Sequence, residues 1–212
     1  MNEGTLSEKI QIRYLKEAGS NCCLSCGGAL DFADLKEGET MIDLGSGRGH
    51  DVIKAADMVT PSGHVYGIDF TDEMIKTAEK NIEKLKITNA KILKSDISNI
   101  PLESETVDAV ISNCVINHAL DKEKVFREIF RLLKTGGRFI VSDVISESEL
   151  PEEVKNDPEA WAKCYGGAIP KNDYFSAVEN AGFNNIDILE ESNSYEKGGV
   201  LVRSITIRSY KK

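Results

Sequence analysis

The sequence predicts an α/β fold: a mostly parallel, doubly wound sheet with helices on both faces. Three observations carry this. A short apolar run at Thr40–His50, TMIDLGSGRGH, breaks into three glycines. A second run, HVYGID, ends in a carboxylate at Asp69. From Thr40 to Val144, runs that suit buried strands alternate with amphipathic, helix-period stretches. The 212 residues are enough for one sizeable core. A hydrophobic content of 41% and a charged content of 29% are those of a globular protein. With 35 acidic against 26 basic residues, a formal charge of −9, the chain lacks the basic balance of a nucleic-acid-binding surface, and a small-molecule substrate is favoured. No apolar run approaches a membrane span, and the start, MNEGTLSEKI, is not a basic-then-apolar leader, so a cytoplasmic location is expected.

The stretch Thr40–His50 organises the rest. Met41, Ile42 and Leu44 suit a buried strand, and Gly45, Gly47 and Gly49 suit a turn that opens a helix. Glycine leaves backbone amides uncovered, as a loop wrapped around a polar ligand requires. Asp69 stands where a carboxylate accepts hydrogen bonds from ribose hydroxyls. The turn keeps only the first part of the G-x-G-x-x-G pattern that cradles a pyrophosphate. Asp43 beside it repels such a group but suits a cation.

Taken in order, residues 1–20 predict a polar helix with Leu6, Ile10, Tyr14 and Leu15 on its inward side and Gly19 as its stop; residues 21–38 form a cysteine-bearing loop with a turn of helix at 34–37. These constitute an N-terminal region, 1–39, ahead of a main domain, 40–212. After Asp69, Thr71 caps a helix whose inward stripe is Met74, Ile75, Ala78, Ile82 and Leu85. AKILKSD is a third strand leading to Asp96, Ile97 and Pro101. VDAVISNCV, to about Val115, is a fourth, buried on both faces and ending in Ser112, Asn113 and Cys114. Ligands of open parallel sheets bind beyond the carboxyl ends of strands, which sets Cys114 at the mouth of the site. A helix follows, capped by Asp121, apolar at Val125, Ile129, Leu132 and Leu133 and stopped by Gly136 and Gly137; RFIVSDV is the fifth strand. Residues 147–170, acidic and proline-punctuated, read as a lid insertion. KNDYFSAVENAGF is a last helix. NIDILEE and VLVRSITIRSY are antiparallel edge strands.

The run Asp43-Leu44-Gly45-Ser46-Gly47-Arg48-Gly49 resembles the DLGxGxG signature of the class I S-adenosylmethionine-dependent methyltransferases. That resemblance implies a Rossmann-like, mostly parallel seven-stranded sheet and S-adenosylmethionine as cofactor. It implies cofactor contacts from Asp43, Gly45, Ser46, Gly47, Asp69, Phe70, Met74, Asp96, Ile97 and Asn113. Met74 also suits plain core, and Asp96 a solvated strand end.

The cysteines bear on the acceptor. Five of them, Cys22, Cys23, Cys26, Cys114 and Cys164, suit metal, metalloid or catalytic roles better than a disulfide framework. ISNCVIN with the helix and KTGGRFIVSDV after it, and Trp161-Ala162-Lys163-Cys164-Tyr165-Gly166-Gly167-Ala168, closely resemble segments of the arsenite methyltransferases. Relative to longer members of that family the chain begins late and ends early. The resemblance implies that Cys26, Cys114 and Cys164 hold As(III), with Cys22 and Cys23 as alternatives at the N-terminal position, and that a thiol reductant recycles the site. Trivalent arsenic prefers three sulfur ligands and keeps a lone pair that can displace a methyl group without a general base. His118, close by, reads as a surface or core histidine. Two other readings fit the residues. One is a methyltransferase for a small organic acceptor, similar to quinone-biosynthesis enzymes, with structural cysteines. The other is a non-catalytic metalloid- or zinc-binding protein.

Overall fold

The computed structural model describes residues 27–212. The expected helix at 1–20 and Cys22, Cys23 and Cys26 lie outside the described residues. Among those described, eight strands form one sheet: β1 (Thr40–Leu44), β2 (His64–Asp69), β3 (Ala90–Lys94), β4 (Val107–Asn113), β5 (Leu133–Ser146), β6 (Asp187–Glu191), β7 (Tyr195–Lys197) and β8 (Val200–Tyr210). The order is β3-β2-β1-β4-β5-β8-β6, with β7 paired to β8. The first five strands run parallel to one another, and β8 runs antiparallel to β5, β6 and β7. The sheet therefore has eight strands and not seven. The additional one, β7, is a three-residue strand joined to β8 by Gly198-Gly199, both at positive φ, a two-residue turn whose twist matches a tight hairpin.

Burial on both faces explains the apolar strands. Ile42, Val110, Phe139 and Val141 point into one cluster, with Phe126 and Ile129 of α3 (Lys122–Leu132) and Tyr174 and Val178 of α6 (Lys171–Asn180). Met41, Val65, Ala109, Ile111 and Ile140, their chain neighbours, point into the other. There they meet Val52 and Ala55 of α1 (His50–Met58), Ala78 and Ile82 of α2 (Asp72–Lys84), and Leu30 of a short 3-10 turn at Ala29–Phe32. Alternate side chains of one strand thus serve two cores, so the sequence shows continuous apolar runs rather than alternation.

Several boundaries move, each for a visible reason. The turn of helix falls at Ala29–Phe32, not at 34–37, because Arg138 takes the carbonyls of Ala33 and Asp34 at 2.6 and 2.7 Å and Asp34 adopts φ +47. Helix α3 ends at Leu132, ahead of its glycines, since the carbonyls of Arg131 and Leu132 accept from the amides of Glu105 and Thr106. The strand register then jumps between Val107 and Ala109, and Gly136, at φ +83, lies in the four residues looped out opposite. Leu85 is exposed, because it caps α2 instead of continuing its stripe. Asp121 caps α3 as expected, accepting from the Lys124 amide at 2.9 Å. Residues 147–170 contain two short helices, α4 (Glu152–Lys155) and α5 (Pro158–Ala162), with Leu150 and Ala168 packed on Val144 and Val202. No helix of the described residues is long and apolar enough to cross a membrane.

Candidate active site

The site begins at the carboxyl end of β1. Gly45 takes φ +67, and Gly47 and Gly49 are also left-handed, a region costly to side chains. The turn is lashed to β2: the Ser46 amide donates to the Ile68 carbonyl at 2.9 Å, and the Gly47 amide donates to Asp69 Oδ2 at 2.9 Å. The other Asp69 oxygen accepts from the Thr71 amide at 2.8 Å. Burial raises the pKa of Asp69 while these amides pull it down. Asp43 is buried in β1 and pushed well above the usual carboxylate range, first by burial and then by the charges of Asp51 and Asp69. Three carboxylates around one glycine turn create a negative pocket, which a cationic ligand would relieve. That set of carboxylates, with open space over Gly47, fits S-adenosylmethionine, which joins a sulfonium and an ammonium group to a ribose.

The remaining expected cofactor residues differ in placement. Met74 is buried and Phe70 half-buried where β2 leads into α2, and Ile97 packs against the core edge after β3. Asp96 is exposed, and its Oδ1 accepts from the Ser98 amide at 2.7 Å, closing a turn. Asn113 uses both ends of its amide on protein groups: Oδ1 accepts from the Ala29 amide and Nδ2 donates to Asp51 Oδ2, each at 3.1 Å.

Cys114 leaves the ladder directly after β4, taking φ +57 while its amide donates to the Ser142 carbonyl at 2.8 Å. This turn ends the strand two residues earlier than the apolar run suggests. It also directs Val115 onto the glycine turn, where a Cβ on Gly45 would stand 2.2 Å from Val115 Cγ2. Cys164 is likewise left-handed, at φ +67, and its loop is pressed on the 3-10 turn Ile116–His118. A Cβ on Gly167 would lie 2.0 Å from the Asn117 carbonyl oxygen, so the glycine permits the approach. The side-chain Nδ2 of Asn117 donates to the Val144 carbonyl at 2.6 Å and to that of Cys164 at 3.4 Å. His118, half-buried, places its Nε2 3.4 Å from Cys164 Sγ. Cys114 and Cys164 are thus both buried with left-handed backbone, Cys114 just past the carboxyl end of the central strand β4 and Cys164 in the loop packed on the turn that follows it. Cys26 lies outside the described residues.

Sequence reasoning overlooked a buried polar pair near these thiols. Asp143 is buried near the end of β5, and Tyr174 of α6 donates to its Oδ2 at 3.2 Å. Burial raises the Asp143 pKa to about 7, against the pull of the Val144 amide and Lys122. Lys122, buried at the start of α3, is lowered to about 8 by its own burial. Cys164 lies within the field of Asp143, and Cys114 within that of Tyr174. The available signal was Ser142-Asp143-Val144, a carboxylate inside an otherwise apolar strand. Among the described residues, a cavity of about 660 Å³ opens beside Cys114, walled in part by Gly27, Ser142, Asp143 and Thr206.

Residues 35–191 match the methyltransferase domain family. An arsenite methyltransferase of Halobacterium salinarum is 39% identical over 178 residues, 84% of this chain and 46% of that protein. The arsenite methyltransferase of Mus musculus is 36% identical over 81% of this chain and 48% of its own length. The chain thus spans about half the length of the curated relatives it matches. The crystal structure of an arsenic(III) S-adenosylmethionine methyltransferase from Chlamydomonas reinhardtii superposes with a TM-score of 0.76 at 28% identity, covering 96% of this chain and 73% of that one. The chain belongs to the methyltransferase family, with the class I S-adenosylmethionine-dependent methyltransferase fold.

Proposed function

We propose that this chain is a methyltransferase that uses S-adenosylmethionine to methylate trivalent arsenic held by the thiolates of Cys26, Cys114 and Cys164. The observation that carries the reading is the contact between Val115 and Gly45, which brings the thiol-bearing end of β4 against the cofactor turn. The relatives named arsenite methyltransferases support it, as do the two strained, buried cysteines.

In this reading Asp69 accepts from ribose hydroxyls, and the carboxylates around Asp43 favour the cationic end. Gly45, Ser46 and Gly47 present backbone. Phe70, Met74, Asp96 and Ile97 border the base. The cofactor supplies an electrophilic methyl group on a sulfonium. Each thiol that takes up arsenite gives its proton to a departing hydroxyl, which leaves as water. Arsenic held by Cys26, Cys114 and Cys164 would keep a lone pair able to accept the methyl group of the bound cofactor, whose sulfonium would leave as a neutral thioether while arsenic goes from III to V. A thiol reductant then returns the two electrons. No general base is needed in the transfer, and positioning the lone pair on the S–CH₃ axis supplies several kcal/mol. The main domain, 40–212, carries this chemistry, with 147–170 as the lid that delivers Cys164 and 1–39 as the segment that delivers Cys26. Such a small-molecule reaction requires neither membrane nor nucleic acid, and it fits the cytoplasm, where thiols stay reduced.

The test is methyl transfer from radiolabelled S-adenosylmethionine to arsenite with excess thiol, run beside Cys114→Ser. Labelled methylarsenic that disappears in the variant supports the reading. Cofactor binding without labelled arsenic refutes it and directs the search to organic acceptors.

A further inference from the structure

One carboxylate and one guanidinium hold both ends of the segment 147–170. Glu147, its first residue, follows directly on β5, and Lys171, the residue after its last, opens α6. Arg203 of β8 donates to Glu147 Oε1 through Nε and to Glu191 Oε1 through Nη1, each at 2.7 Å. Glu191, the last residue of β6, accepts from Lys171 Nζ on its other oxygen at 2.6 Å. The charges thus run Glu147–Arg203–Glu191–Lys171 across the neck of the segment. Ser194 joins them: its hydroxyl donates to Glu147 and accepts from Arg203 Nη2 at 3.2 Å.

The backbone closes the same neck, where the Ser146 amide donates to the Ile169 carbonyl and the Glu147 amide to the Leu201 carbonyl, each at 3.1 Å. Apolar packing holds the first half of the segment only lightly. Helix α4 buries none of its residues, and Leu150 and Ala168 share a small cluster with Val144 and Val202. Stretches of this kind open at the low end of a protein's range of local stabilities. Isolated surface ion pairs contribute little, but these share partners, and none of the four side chains is more than 35% exposed. Glu191 also walls the cavity that Cys114 lines, so the network borders the site.

We propose that the Glu191–Arg203 pair is the latch of the lid 147–170: it ties both ends of the lid to the edge of the sheet and sets how often the lid opens and uncovers Cys164. This rests on the reading of 147–170 as a lid and is independent of the acceptor the site takes. Arg203 is a positioning residue that acts through the two ends it holds.

The test is hydrogen exchange read by peptide mass spectrometry on the whole chain, with neither arsenic nor cofactor added. Arg203→Met keeps an apolar stem and removes the charge. In about 0.1 M NaCl, exchange in peptides from 147–170 should rise about fivefold, the scale of two ion pairs lost, while peptides from β1 and β4 keep their wild-type rates. Glu147→Gln and Lys171→Met each release one end and should give about half of that rise; combined, they should match Arg203→Met. Arg208→Met breaks a pair with Asp187 farther along the same strand and should leave the lid as it is. Raising the salt to about 1 M shortens the screening length from about 10 Å to about 3 Å. That change should speed lid exchange in wild type and alter Arg203→Met much less, a difference that apolar packing alone would not produce. Unchanged lid exchange in Arg203→Met would overturn the proposal. A rise shared by the β1 and β4 peptides, or reproduced by Arg208→Met, would overturn it too. If 147–170 of the wild type exchanged only as slowly as β1 and β4, the segment would not be a lid and both readings of it would fall. Failure of the wild-type chain to methylate arsenite would refute the proposed acceptor and leave the latch standing.

Discussion

Val115 lies directly on Gly45: a Cβ on that glycine would stand 2.2 Å from Val115 Cγ2 and 2.8 Å from Cγ1. The contact joins the strand end that bears Cys114 to the glycine turn proposed to face the cofactor, so each fixes the other. Gly45→Ala meets two penalties. At φ +67 a side chain costs about 1–2 kcal/mol, and the methyl group must displace Val115. Affinity for S-adenosylmethionine should fall at least about tenfold, each factor of ten being about 1.4 kcal/mol. Titration calorimetry reads this, and an affinity within twofold of wild type would show that the turn tolerates a side chain.

Asp143 gives stability a pH dependence of defined sign. Its carboxyl holds a proton to about pH 7 in the folded chain, against an ordinary value of 3.8. Between those values the folded state binds the extra proton, so this group makes stability fall as pH rises, by about 1.4 kcal/mol per unit. Lys122 acts in the opposite sense: lowered from 10.5 to about 8, it makes stability rise between those values, where the unfolded chain is the one that keeps the proton. Asp143→Asn removes the first effect. Urea unfolding at pH 5 and pH 7 should show wild type losing about 2 kcal/mol more than the variant over that interval. Parallel profiles would mean that Asp143 ionises as an exposed carboxyl does.

The sheet was legible because strands buried on two faces carry continuous apolar runs, as Ala109–Ile111 does, and because Asp121 and Gly45 are local signals that tertiary structure did not override. The glycine turn with Asp43 could be read for the same reason, since their spacing is short, and Asp69 from the strand it ends, whereas Asp51 came to light only in the fold. What was hidden depends on contacts between distant segments. The short turn fell at Ala29–Phe32 because Arg138, far along the chain, claims two carbonyls. His118 meets Cys164 because Gly167 lets the Cys164 loop press onto Asn117. Asp143 and Tyr174 meet only after β5 and α6 pack. Strand β7 is too short for a periodicity, although Gly198-Gly199 beside it was a usable hairpin signal.

Arg138 should therefore be worth more than an ordinary surface cation. Its guanidinium grips both carboxylate oxygens of Glu39, at 2.9 and 2.7 Å, while donating to the carbonyls of Ala33 and Asp34. Burial of the pair is offset by these bonds: the carboxyl of Glu39 stays below its ordinary range despite burial, held by Arg138. Arg138→Ala leaves Glu39 and two carbonyls without their cation, a loss of about 3 kcal/mol. Chemical denaturation measures it. Glu39→Gln, which keeps two of the four contacts, should cost distinctly less, and equal costs would argue against the carbonyl contribution.

Gly198 offers a test of how the loop carrying Cys164 is held. At φ +60 in the β7–β8 turn, it lets the backbone touch the neighbouring Tyr165: a Cβ there would lie 2.2 Å from the phenol oxygen and 2.3 Å from the ring carbon bearing it. The hairpin thus braces the residue next to Cys164, and the Lys197 ammonium stands 6.0 Å from the same ring. Its neighbour Gly199, at φ +82, has nothing within 4 Å of a Cβ. Gly199→Ala and Gly198→Ala therefore share a backbone strain of about 1–2 kcal/mol, but only Gly198→Ala pushes on Tyr165. Both should lower Tm by several degrees. Labelling of Cys164 by an alkylating thiol reagent, followed by peptide mass spectrometry, should rise about tenfold in Gly198→Ala and stay near wild type in Gly199→Ala, because only local opening of the braced loop exposes this buried thiol. Equal labelling in the two variants would mean that Cys164 is held by the Asn117 and Gly167 contacts alone.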